Sequence, residues 1–117
     1  DPEDPASYDQ LGLLAYDAAD LDTAAARFAR AVTVQPDYAP AHAHLGWVHY
    51  RRQQWADAAA RFEQAIELGA TSPEYYYELG LSLIYLDRCA EGRPWLEKAL
   101  AEDATLTPAR EGLALCP

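Results

Sequence analysis

The stretch LGWVHYRRQQWADAAARFEQAI, residues 45–66, decides the fold, because its pattern recurs on either side at one fixed interval. The Leu45-Gly46 doublet that opens it is matched by Leu11-Gly12 and Leu79-Gly80, so the glycines fall 46 − 12 = 34 and 80 − 46 = 34 residues apart. At the same distance beyond each glycine (28 − 12 = 16) come Phe28, Phe62 and Leu96, and three residues further on come Ala31, Ala65 and Ala99. A period of this length marks stacked supersecondary units, each too small to bury its apolar face alone.

Within a unit the apolar spacing is helical. Ala24, Phe28, Ala31 and Val32 form one stripe, and Ala58, Phe62, Ala65 and Ile66 form its counterpart one period later. The first half of each unit is patterned in the same way, so each unit is a pair of helices. Capping residues before proline mark starts at Asp4-Pro5, Ser72-Pro73 and Thr107-Pro108, and Pro36 and Gly69 mark stops. No segment alternates with period two over strand length, so the expected class is all-α. Gly92 stands where units one and two carry Ala24 and Ala58, and Pro94 cannot donate to the carbonyl of Ala90, so a local kink is expected there.

A chain of 117 residues, half of them apolar and 24% charged, fits one compact unit with its own core. Nine Lys and Arg against 19 Asp and Glu give a net charge of -10. That balance opposes nucleic acid and anionic membrane surfaces, both of which are gripped mainly through Lys and Arg. No apolar run approaches the length of a membrane span. The chain begins without Met, as a fragment or a form with its signal removed would, so the lack of a visible leader carries no weight.

These residues make the chain resemble tetratricopeptide repeat proteins, whose pattern is W-x2-L-G-x2-Y followed by A-x3-F, A and P. Tyr8, Leu11, Gly12, Ala24, Phe28, Ala31 and Pro36 fit in the first unit. Leu45, Gly46, Ala58, Phe62 and Ala65 fit in the second, and Tyr76, Leu79, Gly80, Leu96 and Ala99 in the third. Ala15 and His42 replace expected aromatics. The resemblance implies a right-handed superhelical solenoid of antiparallel helix pairs. Residues 1–4 would be a tail, 5–38, 39–72 and 73–106 the three repeats, and 107–117 a C-terminal capping helix, all in one domain. Leu113 and Ala114 stand in the Leu-Gly places of this last segment, which would cover the apolar face of the third repeat.

In such a solenoid the first helices line a concave groove. The resemblance turns Asp9, Leu13, Tyr16 and Asp17 inward, then Ala43, His44, Trp47, Tyr50 and Arg51, then Glu74, Tyr77, Glu78, Leu81, Ile84 and Tyr85. Rings and Arg are enriched among interface hot spots, and contiguous exposed apolar surface marks binding sites. The competing reading is that several of these rings are helix-packing core. Leu11, Leu45, Leu79, Phe28 and Phe62 already occupy the core places, which favours the groove. The family's carboxylate clamp for acidic chaperone tails uses Lys, Arg and Asn. The matching places here hold Asp9, Leu13, His44, Glu74 and Glu78, so the expected ligand is instead a peptide with apolar side chains. Its basic side chains would be complemented by Asp9, Asp17, Glu74 and Glu78.

No cofactor, metal or catalytic role is expected. His42 and His49 share a helical face while His44 points away, so the three cannot converge on one ion. No Gly-rich phosphate loop, nucleophile elbow or H-E-x-x-H string is present. Cys89 opens the third unit's second helix and Cys116 ends the cap. A disulfide between them would imply an oxidising compartment such as the periplasm; two separate thiols would fit the cytoplasm. The functional expectation is a protein-interaction scaffold whose partner is a protein or peptide. The rivals are a self-assembling homo-oligomer, joined through the uncovered first repeat or the acidic tail, and a scaffold segment of a larger protein or enzyme.

Overall fold

A computed structural model describes residues 3–117. They form α1 (Pro5–Asp17), α2 (Leu21–Val34), α3 (Ala39–Arg51), α4 (Trp55–Glu67), α5 (Pro73–Tyr85), α6 (Cys89–Glu102) and α7 (Thr107–Ala114), with no strand among the described residues. The pairs α1–α2, α3–α4 and α5–α6 are antiparallel hairpins stacked into a body of 48 × 24 × 22 Å. The first two residues of the expected acidic tail lie outside the described residues. Glu3 pairs with Arg30 at 3.1 Å, and Asp4 caps α1 by accepting from the Ala6 amide.

One contact closes each hairpin. The Phe28 ring lies on Gly12, so a methyl group added there would come within 2.4 Å of a ring carbon. Phe62 sits on Gly46 and Leu96 on Gly80 in the same way, each leaving 2.7 Å to such a methyl. In the third hairpin a Cβ on Gly92 would meet the Gly80 carbonyl oxygen at 2.6 Å, which is why alanine is absent from that place. Helix α6 runs through Pro94 unbroken. Pro94 and Ala90 are both exposed, so water can serve the carbonyl that loses its partner.

The core lies between units. Ala24 and Phe28 of α2 pack with Leu45 and Val48 of α3, and Ala58 and Phe62 of α4 pack with Leu79 and Leu83 of α5. Leu11, expected in the core, is instead 45% exposed, and Leu14 beside it 67%. Their counterparts one period on, Leu45 and Val48, are buried by the second helix of the preceding unit, and α1 has no such neighbour among the described residues. At the other end α7 covers Leu81, Ile84 and Leu96, seated through Gly112, where a Cβ would come within 2.5 Å of Leu81. The α7 cap is Leu106, one residue before the expected Thr107, and Pro108 takes the second helical position, where its missing N–H is equally harmless.

The turns repeat with the helices. Ala19, Gln53 and Asp87, one period apart, all have φ near +60° (62°, 59° and 62°). The amide of the next residue reaches back five positions, as Asp20 does to Ala15 and Gln54 to His49, both at 2.9 Å. This is the Schellman closure. Gly69, at φ 105°, makes the same turn between the second and third hairpins.

The Sγ atoms of Cys89 and Cys116 lie at bonding distance, with their Cα atoms 5.8 Å apart. Arg93 donates to the Pro117 carbonyl oxygen at 2.9 Å beside them. A bridge across this separation of 27 residues stabilises by about 3.5 kcal/mol on the loop-entropy estimate.

Two outcomes are expected. Ala19→Gly relieves a left-handed alanine and stabilises by roughly 0.5–1 kcal/mol, read as a higher melting temperature; a lower one would show that the turn is unstrained. Thiol titration of the unfolded, unreduced protein finds no free thiol, whereas two would exclude the bridge.

Candidate functional site

The first helices α1, α3 and α5 stand side by side, and α7 continues the row. Two runs of rings lie along this row, the second joined through Trp55 of α4. Tyr16 and Trp47 have centroids 5.8 Å apart, and Trp47 and Tyr75 are separated by 6.0 Å. Further along, Tyr50 meets Trp55 edge-on at 5.2 Å, and Trp55 meets Tyr85 at 4.5 Å. Two clefts open between the rings. One, of about 200 Å³, is lined by Tyr16, Trp47, Glu74, Tyr77 and Glu78. The other, of about 350 Å³, is lined by Tyr50, Leu81, Tyr85, Pro108, Glu111, Gly112 and Leu115.

The residues expected in the groove divide into three groups. Tyr16, Trp47, Tyr50, Glu74, Tyr77, Glu78, Leu81 and Tyr85 line one cleft or the other. Asp17 and Arg51 are exposed at the edge, with the Arg51 guanidinium over the Tyr16 ring at 5.1 Å; Leu13 is half-buried against the first core cluster. The remainder serve packing. Asp9 and His44 are 3% and 7% exposed and hydrogen-bond each other at 2.7 Å, tying α1 to α3, so neither is free to meet a basic ligand. Ala43 is fully buried, and Ile84 lies in the cluster under α7, as does most of Leu81.

The three histidines go to separate partners. His44 bonds Asp9, His42 bonds the Pro36 carbonyl at 2.8 Å and Arg61 at 3.2 Å, and His49 bonds Gln54 at 2.8 Å. The contribution of α7 to the larger cleft is absent from the sequence reading, although one more step of 34 would have supplied it: 77 + 34 gives Glu111 and 81 + 34 gives Leu115. Trp55, on a second helix, has no such signal.

Glu78 is the electrostatic centre of the smaller cleft. The Trp47 indole Nε1 donates to its Oε1 at 3.1 Å. Burial pushes its carboxyl up to about 8, a rise the Trp47 hydrogen bond opposes and the nearby Glu74 charge reinforces. Burial also raises the phenols of Tyr16, Tyr75 and Tyr77, keeping them neutral donors.

A carboxyl raised in the folded state stabilises fully below its unfolded value and loses that contribution as pH climbs through the folded one. The wild-type chain therefore loses stability between about pH 5 and pH 9, by a few kcal/mol from this group. Glu78→Gln should flatten that slope and melt higher than wild type at about pH 9; parallel melting curves across the range would refute the assignment.

Comparison with known proteins places this geometry. A model of the tetratricopeptide repeat matches residues 10–73 and again 44–107, most of the chain. Over 75 residues the chain is 35% identical to Superkiller complex protein 3 of Mus musculus, a match that takes in 64% of this chain and 5% of that protein. The chain thus spans a small fraction of that relative's length. The crystal structure of YrrB, described as a TPR protein with an unusual peptide-binding site, superposes with a TM-score of 0.94 at 25% identity, over 99% of this chain and 60% of that one. The first TPR of Spaghetti (RPAP3), bound to the HSP90 peptide SRMEEVD, superposes with a TM-score of 0.88 at 16% identity, over 97% of this chain and 90% of that one. The stacked hairpins form the right-handed superhelical solenoid of these structures. With its 34-residue period, its glycine-closed hairpins and this match, the chain belongs to the tetratricopeptide repeat family.

Proposed function

We propose that the chain is a protein-interaction module, without catalytic activity of its own, that holds a peptide segment of a partner along the face shared by α1, α3, α5 and α7. The observation that carries this reading is the set of rings itself. Tyr16, Trp47, Tyr50, Tyr77 and Tyr85 stay partly accessible around two clefts, and all but Tyr85 are anchored from below by packing against the core clusters. Half-buried rings flanking concave surface are the usual anchors of a peptide. YrrB, described as having a peptide-binding site, supports the reading by its likeness over nearly the whole chain.

The ligand differs in charge from the acidic HSP90 peptide held by the RPAP3 repeat. Glu74, Glu78 and Glu111 line the clefts, and no Lys or Arg does, so the preferred peptide is apolar with basic residues. Self-assembly is the second reading, favoured by the exposed Leu11 and Leu14. Solution mass across a concentration series separates the two, a strict monomer counting against self-assembly. The share of the Superkiller relative that is matched fits a scaffold segment within a longer protein. If Cys89 and Cys116 are bridged in the cell, the module works in an oxidising compartment such as the periplasm.

Random short peptides displayed against the folded chain provide the test. Tyr77→Ala combined with Tyr85→Ala should weaken the selected binders at least about tenfold while preserving helicity. Selection of no binder, or of binders indifferent to the pair, would sink the groove reading.

A further inference from the structure

The smaller cleft brings rings and carboxylates together. Tyr16, Trp47 and Tyr77 wall it with rings, and Glu74 and Glu78 supply two carboxylates. Aromatic faces carry negative potential, so rings and carboxylates favour the same charge of guest. Among the described residues, neither Glu74 nor Glu78 has a Lys, Arg or His within ion-pair distance. Arg51 lies over the Tyr16 ring at 5.1 Å rather than on a carboxylate. Trp47 occupies Oε1 of Glu78. No buried side-chain oxygen among the described residues lacks a partner, which leaves Oε2 accessible.

We propose that this cleft receives one cationic side chain, a lysine or arginine of the bound peptide, with its alkyl stem between the rings of Tyr16, Trp47 and Tyr77 and its charge against Glu74 and Glu78. The inference rests on the groove reading and adds to it a specific occupant at a specific place. With an apolar guest the buried Glu78 carboxyl would stay protonated beside Glu74, and an anionic guest would meet the Glu74 charge. A cation is favoured over both, because it gives Glu74 a partner and lets Glu78 ionise against it, in a setting where ring faces also attract a cation. The high value to which burial pushes Glu78, about 8, fits a carboxylate short of a counter-charge. The guanidinium would bind flat on Trp47 and the ammonium as a point charge, so the two sources are distinguishable by exchange of one for the other.

The experiment uses the unmodified chain and the peptides selected on it by display. The selected sequences should share one Lys or Arg at a fixed place. Replacing that lysine by norleucine, or that arginine by citrulline, should weaken binding at least about tenfold. The same exchange should cost less than about twofold toward Glu74→Gln, Glu78→Gln, and Lys-for-Arg exchange tells which cation is preferred. Should the double variant fold poorly, the Trp47 indole N–H resonance of the wild-type chain decides, because the cationic peptide should shift it and its neutral isostere should not. Selected peptides that lack a shared basic residue, or that tolerate norleucine or citrulline, overturn the cationic pocket. If those peptides still depend on Tyr77 and Tyr85, the groove reading survives that loss. Absence of any selected peptide removes both.

Discussion

A ring resting on a glycine is the constraint on which the structure depends. Phe28 on Gly12 and Phe62 on Gly46 bring two helices of a hairpin closer than any side chain at the glycine would permit. The same ring also meets Leu45 and Val48, or Leu79 and Leu83, of the next unit. One contact therefore sets both the separation within a hairpin and the surface offered to its neighbour. The third hairpin keeps the spacing by a different route, with Leu96 in place of the ring and Gly80 against Gly92, so the period tolerates a change of residue as long as the gap stays narrow.

The same constraint explains which parts of the molecule are legible in the sequence. Helices, hairpins and their order follow from spacing alone, because each hairpin is closed by residues a fixed distance apart. Exposure is another matter, since it depends on what lies beside a unit rather than within it. Leu11 has the same local pattern as Leu45 and Leu79 and opposite surroundings. Leu81 and Ile84 match groove positions of earlier units, yet α7 lies against them and draws them into the core. Asp9 and His44 look like groove charges when read singly; they are a pair, and pairing between residues 35 apart on different helices has no local signature.

Electrostatically the groove works by leaving some carboxylates unmatched. Asp9 is hydrogen-bonded in place to His44, while Asp22 pairs with Arg52 and Glu91 with Arg88 on the outer surface. Glu74 and Glu78 are excluded from this pairing. Among the described carboxylates without an ion pair, these two lie where the rings are. A site of this kind would select by charge as well as by shape, because a cationic guest gains carboxylate partners that an apolar or anionic guest cannot use.

The join between Cys89 and Cys116 gives the stack a direction. In a linear array each hairpin leans only on its neighbours, so opening starts at an end and spreads inward. With Cys89 and Cys116 bridged, the last helix is tied just beyond its end to the start of α6 and cannot peel away singly. Among the described residues helix α1, with Leu11 and Leu14 uncovered on one side, packs only on α2 and α3 and has no comparable tether. Amide hydrogens should therefore exchange in a gradient, quickest in the first hairpin and slowest around α5 and α6. The smaller cleft takes Tyr16 from the loose end and Glu74, Tyr77 and Glu78 from the firm one, so a peptide seated there would also fasten the first hairpin to the rest.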